Sequence, residues 1–250
     1  MSKTALIVQA RLGSTRLPGK MLIPFYNGKS ILEIVLSRLK ELPNEFKIIV
    51  ATTVNPKDDP IVELCNEMKV STHRGPEDDV LKRFIDAAEK ESVDHVVRVC
   101  ADNPLLLVDY IHSLIGQFDP MTQDYLSYNF HDGTPVIKSH IGLFAEIVTL
   151  NALKKVARLT KERLYIEHVT NFIYANKEIF KVDFLPLPKI FGNRKDIRLT
   201  VDTKNDFELT QELYEDLIKQ DFTIDSIINK IDSDVKYKTV MHTEIKRNSK

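Results

Sequence analysis

No excess of positive charge runs through this chain: 35 lysines and arginines stand against 36 acidic residues, for a net charge of −1. That balance removes the long-range field by which proteins gather nucleic acid or anionic membranes, so any anion site has to be local. Cysteine is scarce as well. Cys65 and Cys100 form no CxxC pair, which suits a reducing compartment better than a disulfide framework, and both read as small buried apolar residues. Glycine is limited to eight residues while hydrophobic content is 43%, enough over 250 residues for a substantial core without a metal or disulfide staple. Long apolar runs are missing too. The opening MSKTALIVQA meets charge at Arg11 before reaching the length of a signal peptide, and no window approaches a membrane span, so a cytoplasmic protein is expected.

What is present is an alternation. Short Val- and Ile-rich runs at 5–10, 47–52 and 95–100 are separated by segments with helical periodicity, the pattern of a mainly parallel sheet with crossover helices. The first helix is predicted over 31–42, capped by Ser30. A second is expected after Asp59-Pro60, with the acid as cap, and a third after Glu77-Asp78-Asp79. Residues 124–148 are less regular, with strands expected near 125–128 and 141–147. They read as an excursion from the main sheet that forms an acceptor pocket or a dimer contact. Helices over 150–158 and 161–174, strands near 180–185 and 197–201, and a helical region over 204–230 follow. A single catalytic domain is expected over 1–232, then a polar C-terminal tail over 233–250. In such open sheets ligands bind at the carboxyl ends of the strands, where residues 11–20, 52–59 and 101–104 would meet.

The first of these loops carries the local charge that the composition lacks. Gly13 to Lys20 invites comparison with the phosphate-cradling pattern G-x-x-x-x-G-K-[ST], but five residues separate Gly13 from Gly19, and Met21 stands where the magnesium-binding hydroxyl belongs. Arg11, Arg16 and Lys20 on one loop suit a polyphosphate of about four negative charges, held by side chains as well as amides. A solvated basic loop is the plain alternative.

ARLGSTRLPGK at 10–20 resembles the nucleotide-binding signature of the cytidylyltransferases that activate sugar acids, including the 3-deoxy-manno-octulosonate and acylneuraminate enzymes. It is more similar to the spore coat polysaccharide biosynthesis protein F group, which the chain follows through ATTVNPKDDPIV (51–62), HRGPEDDVLKR (73–83), VRVCADNPLL (97–106), EHVTNFIY (167–174) and RLTVDTKNDFEL (198–209). The resemblance implies a three-layer α/β, Rossmann-like fold of the nucleotide-diphospho-sugar transferase (GT-A-like) type. It also implies CTP and a sugar-acid acceptor as partners, Mg²⁺ as cofactor, and a homodimer.

It further implies roles for individual residues. Arg11, Ser14, Arg16 and Lys20, with Gln9, Ala10 and Gly13 beside them, would bind the CTP phosphates, and Arg11, Arg16, Lys20 and Asp102 would form the catalytic set. Asp102 in CADNP matches the Asp of the family's G-D-x-P segment, with Ala101 replacing the glycine, and Asp202 in LTVDT matches a second carboxylate; both are assigned to the metal. Two acids with phosphate oxygens and water make a suitable Mg²⁺ set, although Asp202, just before Thr203 and a helix, also reads as a helix cap. Thr52, Thr53, Asn55, Arg74 and Asp79 are placed at the nucleotide, the last also readable as the cap of the third helix and Asn55-Pro56 as a plain turn. Glu167 and His168, on a predicted helix, point to acceptor binding or a dimer contact. Residues 105–160 match neither sugar-acid subgroup, so no acceptor is specified. The expected reaction is in-line transfer of CMP with release of pyrophosphate, for a surface polysaccharide or glycan. One rival is a glycosyltransferase of the related fold, against which stands Asp102-Asn103-Pro104-Leu105 without a second acid. Another is a non-catalytic nucleotide-binding protein.

Overall fold

The computed structural model describes residues 3–248. In chain order the elements are β1 (Thr4–Gln9), β2 (Pro24–Tyr26), β3 (Lys29–Ser30), α1 (Ile31–Leu39), β4 (Lys47–Thr53), α2 (Asp59–Glu67), β5 (Ser71–Gly75), α3 (Val80–Lys90), β6 (His95–Cys100), α4 (Val108–Gln117), β7 (Tyr125–Asn129), β8 (Glu146–Thr149), α5 (Leu150–Leu159), α6 (Arg163–Glu167), α7 (Asn171–Ala175), β9 (Val182–Pro186), α8 (Lys204–Leu217), α9 (Ile224–Ser233) and α10 (Val235–Asn248). Among the described residues the main sheet has seven strands in the order β5-β4-β1-β6-β8-β7-β9, mostly parallel, with β8 antiparallel to both neighbours. β2 and β3 pair as a separate hairpin.

Alternation along the central strands sends side chains to two cores. Leu6, Val8, Val97 and Val99 meet residues of α1, α4, α8, α9 and α10 on one face, and Ala5, Ile7, Ile49 and Val96 meet α3, α5 and α7 on the other, as expected of a sheet buried on both sides. The α/β, three-layer expectation holds.

The position of β1 defines the site. The chain runs outward from β1 through β4 to β5, then returns to add β6 on the other side of β1, so the β1 and β6 loops open into the crevice of a topological switch point. α1 starts where Ser30 accepts from the Glu33 amide at 3.3 Å and Glu33 accepts from the Ser30 amide at 2.7 Å, a reciprocal cap.

Several boundaries differ from expectation. The segment 124–148 does not leave the main sheet: its ends are β7 and β8, and only the connection between them bulges out. The strand predicted over 141–147 is observed as β8, which starts later, at Glu146, and runs to Thr149; upstream, Gly142 takes φ +63°. Residues 197–201 form no strand although Ile197, Leu199 and Val201 are buried in the core; Arg198 makes one isolated bridge with His140, and the amides of Leu199 and Thr200 both donate to the His140 carbonyl. The helix predicted over 161–174 breaks into α6 and α7 at buried Val169 and Thr170, the latter donating its hydroxyl to Glu146 at 2.7 Å. α2 begins at Asp59 with Asp58 in the cap position, preceded by a 3-10 turn over Pro56–Asp58. The stretch expected as a polar tail is α10, anchored by buried Tyr237 and Met241 at i, i+4 and by buried Glu244; residues 249 and 250 of that expectation lie outside the described residues.

Candidate active site

The crevice is a cleft of about 770 Å³, within the roughly 300–1,000 Å³ range of small-ligand sites. Five cations (Arg11, Arg16, Lys20, Arg98, Lys138) and three carboxylates (Asp102, Glu167, Asp202) line it, so a chain of near-zero net charge concentrates positive charge at this one place.

The loop after β1 is fixed from below. The Leu12 amide donates to Asp58 at 2.7 Å, and the Thr53 hydroxyl donates to the other Asp58 oxygen. Asp58 is 3% exposed and was invisible in the sequence as a loop anchor, because nothing in NPKDD distinguishes it from its neighbour. Gly13 lies on the cleft with no room to spare: a Cβ there would come within 3.3 Å of Glu77. The Ser14 hydroxyl accepts weakly from the Leu17 amide at 3.4 Å, holding the turn of the loop.

Lys20 returns the loop to the sheet. Its ammonium donates to Asp102 Oδ2 at 3.1 Å, Asp202 Oδ1 at 3.2 Å and the Val201 carbonyl at 2.5 Å. Burial works against its charge, but the two carboxylates outweigh that and hold its pKa above the ordinary lysine value. Burial likewise opposes charge on Asp202, yet Lys20, Arg16 and Arg198 together hold its pKa low. Asp202 is not the cap of α8. Thr203 is, accepting from the Asp206 amide at 3.1 Å while Asp206 accepts from the Thr203 amide at 2.9 Å, and this leaves the Asp202 carboxylate turned to the cleft.

Arg198, 1% exposed, carries the support one layer deeper. It donates to Asp206 through Nε and Nη2, both at 2.7 Å, reaches Asp202 at 3.2 Å, and sits 2.8 Å from His140 Nδ1. The spacing R-x-x-x-D-x-x-x-D carries this cluster in the sequence, but it acquires meaning only because the segment crosses the core. Arg16, exposed at the cleft mouth, pairs with Asp202 at 2.9 Å and donates to Asn248 of α10 at 2.7 Å.

The cleft therefore collects Gln9, Arg11, Gly13, Ser14, Arg16, Lys20, Asp102 and Asp202. Buried Ala10 lies beneath, its amide bonded to the Ala51 carbonyl at 3.3 Å. Thr52, Thr53, Asn55, Arg74 and Asp79 do not line it. Thr52 and Thr53 are fully buried, and Arg74 is spent on the carbonyls of Thr53 and Asn55 and on Asp59. Asn55 accepts from the Lys57 amide at 3.0 Å, and Asp79 accepts from the Lys82 amide at 2.7 Å as the cap of α3. These residues form a scaffold behind the loop. His168 follows α6 and lines the cleft with Glu167, which stands 3.9 Å from Arg11.

Asp102 and Asp202 also suit a metal. Both reach one cationic point, the Lys20 ammonium, and two hard carboxylate oxygens with room for phosphate oxygens and water fit a small divalent cation. Among the described residues no group of three or more His, Cys, Asp or Glu side chains gathers as an all-protein metal cage, and no helix is long and apolar enough to cross a membrane.

Comparison with known proteins bears on this arrangement. The family model described as cytidylyltransferase matches residues 5–227. An uncharacterized protein of Methanocaldococcus jannaschii is 41% identical over 236 residues, covering 94% of this chain and 92% of that protein. The spore coat polysaccharide biosynthesis protein SpsF of Bacillus subtilis is 30% identical over 220 residues, covering 86% and 88%. A solved cytidylyltransferase from Leptospira borgpetersenii superposes with a TM-score of 0.84 at 28% identity, covering 97% of this chain and 98% of that one.

Proposed function

The chain belongs to the cytidylyltransferase family, and from that premise we propose that it transfers CMP from CTP to a sugar acid, releasing pyrophosphate, as a step toward a surface polysaccharide or glycan. The observation that carries this reading is the convergence of Lys20, Asp102 and Asp202 at the switch-point crevice, with Arg11 and Arg16 on the same loop. The polysaccharide context is supported by the likeness to the Bacillus subtilis spore coat protein.

In the reaction an acceptor hydroxyl oxygen bonds to the α-phosphorus, the bond from that phosphorus to the bridging oxygen breaks, and pyrophosphate leaves with the electron pair. The hydroxyl proton passes to water. Arg11 and Arg16, with Gly13 and Ser14 on the same loop, bind and orient the triphosphate, and Lys20 faces the negative charge that builds on the phosphoryl oxygens. Asp102 and Asp202 would hold Mg²⁺, which when bound supplies charge neutralisation at the phosphates. Arg198 and Asp206 keep Asp202 in place for that task. No side chain is needed as a covalent nucleophile.

Thermal unfolding with CTP, UTP, ATP and GTP, each with and without Mg²⁺, tests the nucleotide. A ligand at 100 times its Kd adds about 2.7 kcal/mol of stability. A magnesium-dependent shift selective for CTP, with pyrophosphate release on adding eight- and nine-carbon keto-sugar acids, is the expected result. Equal shifts with all four nucleotides would refute the cytidylyl assignment.

A further inference from the structure

The cleft wall contains a buried guanidinium that the phosphate chemistry does not use. Arg98, on β6, is 8% exposed and lines the cleft, four residues before Asp102 on the same strand and loop. Across the ladder it stands opposite Glu146 of β8. Its Nη1 donates to Glu146 Oε1 at 2.6 Å, its Nη2 reaches Gln9 only at 3.4 Å, and its Nε has no partner.

Glu146 is fully engaged. Its second oxygen accepts from the Tyr125 hydroxyl at 2.6 Å and from the Thr170 hydroxyl at 2.7 Å, so the carboxylate is anchored by three donors, from β6, from β7 and from the break between α6 and α7. The guanidinium is not. An arginine carries five N–H donors in a rigid fork, and Arg98 commits one of them at good length. Arg198 is the contrast within the same protein, with partners at all three of its nitrogens. Arg83 is also buried and short of partners, but it does not line the cleft. A buried donor left without a partner is unfavourable, and Arg98, with its Nε partnerless and its Nη2 only weakly engaged, belongs to the cleft wall. Lys138, on the connection before β8, is a second cation lining the same cleft.

We propose that Arg98, held by Glu146, receives the carboxylate of the acceptor in a charge-assisted, forked contact, and so selects acids over neutral sugars. The proposal rests on cytidylyl transfer as the reaction. Its physical content is specific: two parallel N–H donors match a carboxylate, a lysine ammonium does not reproduce them, and an esterified or amidated acid leaves the buried fork poorly satisfied.

The test compares three proteins, wild type, Arg98→Lys and the double variant Arg98→Met with Glu146→Gln, which avoids stranding a buried carboxylate. Each is assayed for CTP-induced thermal shift with Mg²⁺ and for pyrophosphate release with a panel of eight- and nine-carbon 3-deoxy-2-keto sugar acids and their methyl esters. Wild type is expected to prefer acid over ester by about a hundredfold or more in kcat/KM. Both variants should lose about 30-fold or more in KM for the acid, with the CTP shift retained and ester turnover unchanged. Unchanged acid KM in folded, CTP-binding variants overturns the assignment to Arg98. A CTP shift in wild type with no acid preferred over its ester overturns the carboxylate while leaving nucleotide binding intact. Loss of any CTP response in wild type refutes the cytidylyl reading itself, and the proposal with it.

Discussion

Asp102 and Asp202, a hundred positions apart in the chain, both accept from the single ammonium of Lys20, at 3.1 and 3.2 Å. The contact joins the loop after β1, the loop after β6 and the entry to α8 at one point, and most of the testable behaviour of the site follows from it.

Lys20→Met and Asp102→Asn are each expected to lower kcat for pyrophosphate release by at least about a hundredfold, the scale of losing a preorganised charge at a developing oxyanion. Thermal unfolding run in parallel establishes that the variants are folded. A folded variant with near-normal turnover would remove that residue from the chemistry.

Arg198→Met should be a stability mutant first. It strands Asp206, 4% exposed, without the guanidinium that now bonds both of its oxygens, and breaking a buried pair from one side costs about 3–5 kcal/mol. Urea unfolding measures this directly, and a loss below about 1 kcal/mol would contradict it.

Gly142→Ala tests the bend that ends the β7–β8 connection. The residue has φ +63°, and a Cβ would fall 2.8 Å from Asn103 Oδ1 and 2.9 Å from Thr200 Oγ1. A destabilisation of about 1–3 kcal/mol is expected, with weaker Mg²⁺-dependent CTP binding because Asn103 adjoins Asp102. Chemical denaturation and a CTP thermal-shift titration read the two effects separately.

Asn248→Ala removes the Arg16 contact made by α10 while leaving the Asp202 contact in place. CTP affinity should fall about 3–10-fold, the scale of one partly solvated hydrogen bond to a charged group. An unchanged Kd by calorimetry would mean that α10 does not position Arg16.

Asp132 supplies a pH signature in the connection that walls the cleft. The Lys195 ammonium, and then the Thr134 amide, hold its pKa down at about 2, against about 3.9 in an unfolded chain. A depressed folded value stabilises the protein above the unfolded pKa, and that contribution disappears as pH falls through the folded pKa. Asp132→Asn should therefore be less stable than wild type at pH 6, with the difference shrinking between about pH 4 and pH 2. It should also shrink in high salt, since the pair is exposed. Midpoints of thermal unfolding across that range provide the check.

Much of this architecture is written in local pattern. The Val- and Ile-rich runs became β1, β4 and β6 because an alternating apolar strand has two faces to bury, and the Ser30 cap was legible because its chemistry spans only three residues. The cation-bearing loop was legible for the same reason: Arg11, Arg16 and Lys20 are neighbours in sequence. Residues 197–201 misled because apolar residues at alternate positions report burial, not strand pairing, and α10 was missed because one face pinned by Tyr237 and Met241 barely shows above its polar surroundings.

The sequence by itself determined the layered α/β class and the place of positive charge, since both depend on residues a few positions apart. Only the tertiary structure decided that Thr203 rather than Asp202 caps α8, that Arg74 and Thr53 brace the loop instead of lining the cleft, and that Arg98 stands at the cleft with donors to spare. Each of these turns on which partner a side chain finds across the fold. A hydrogen bond is settled within about 3 Å, and that proximity between distant segments is created by packing the two faces of the sheet.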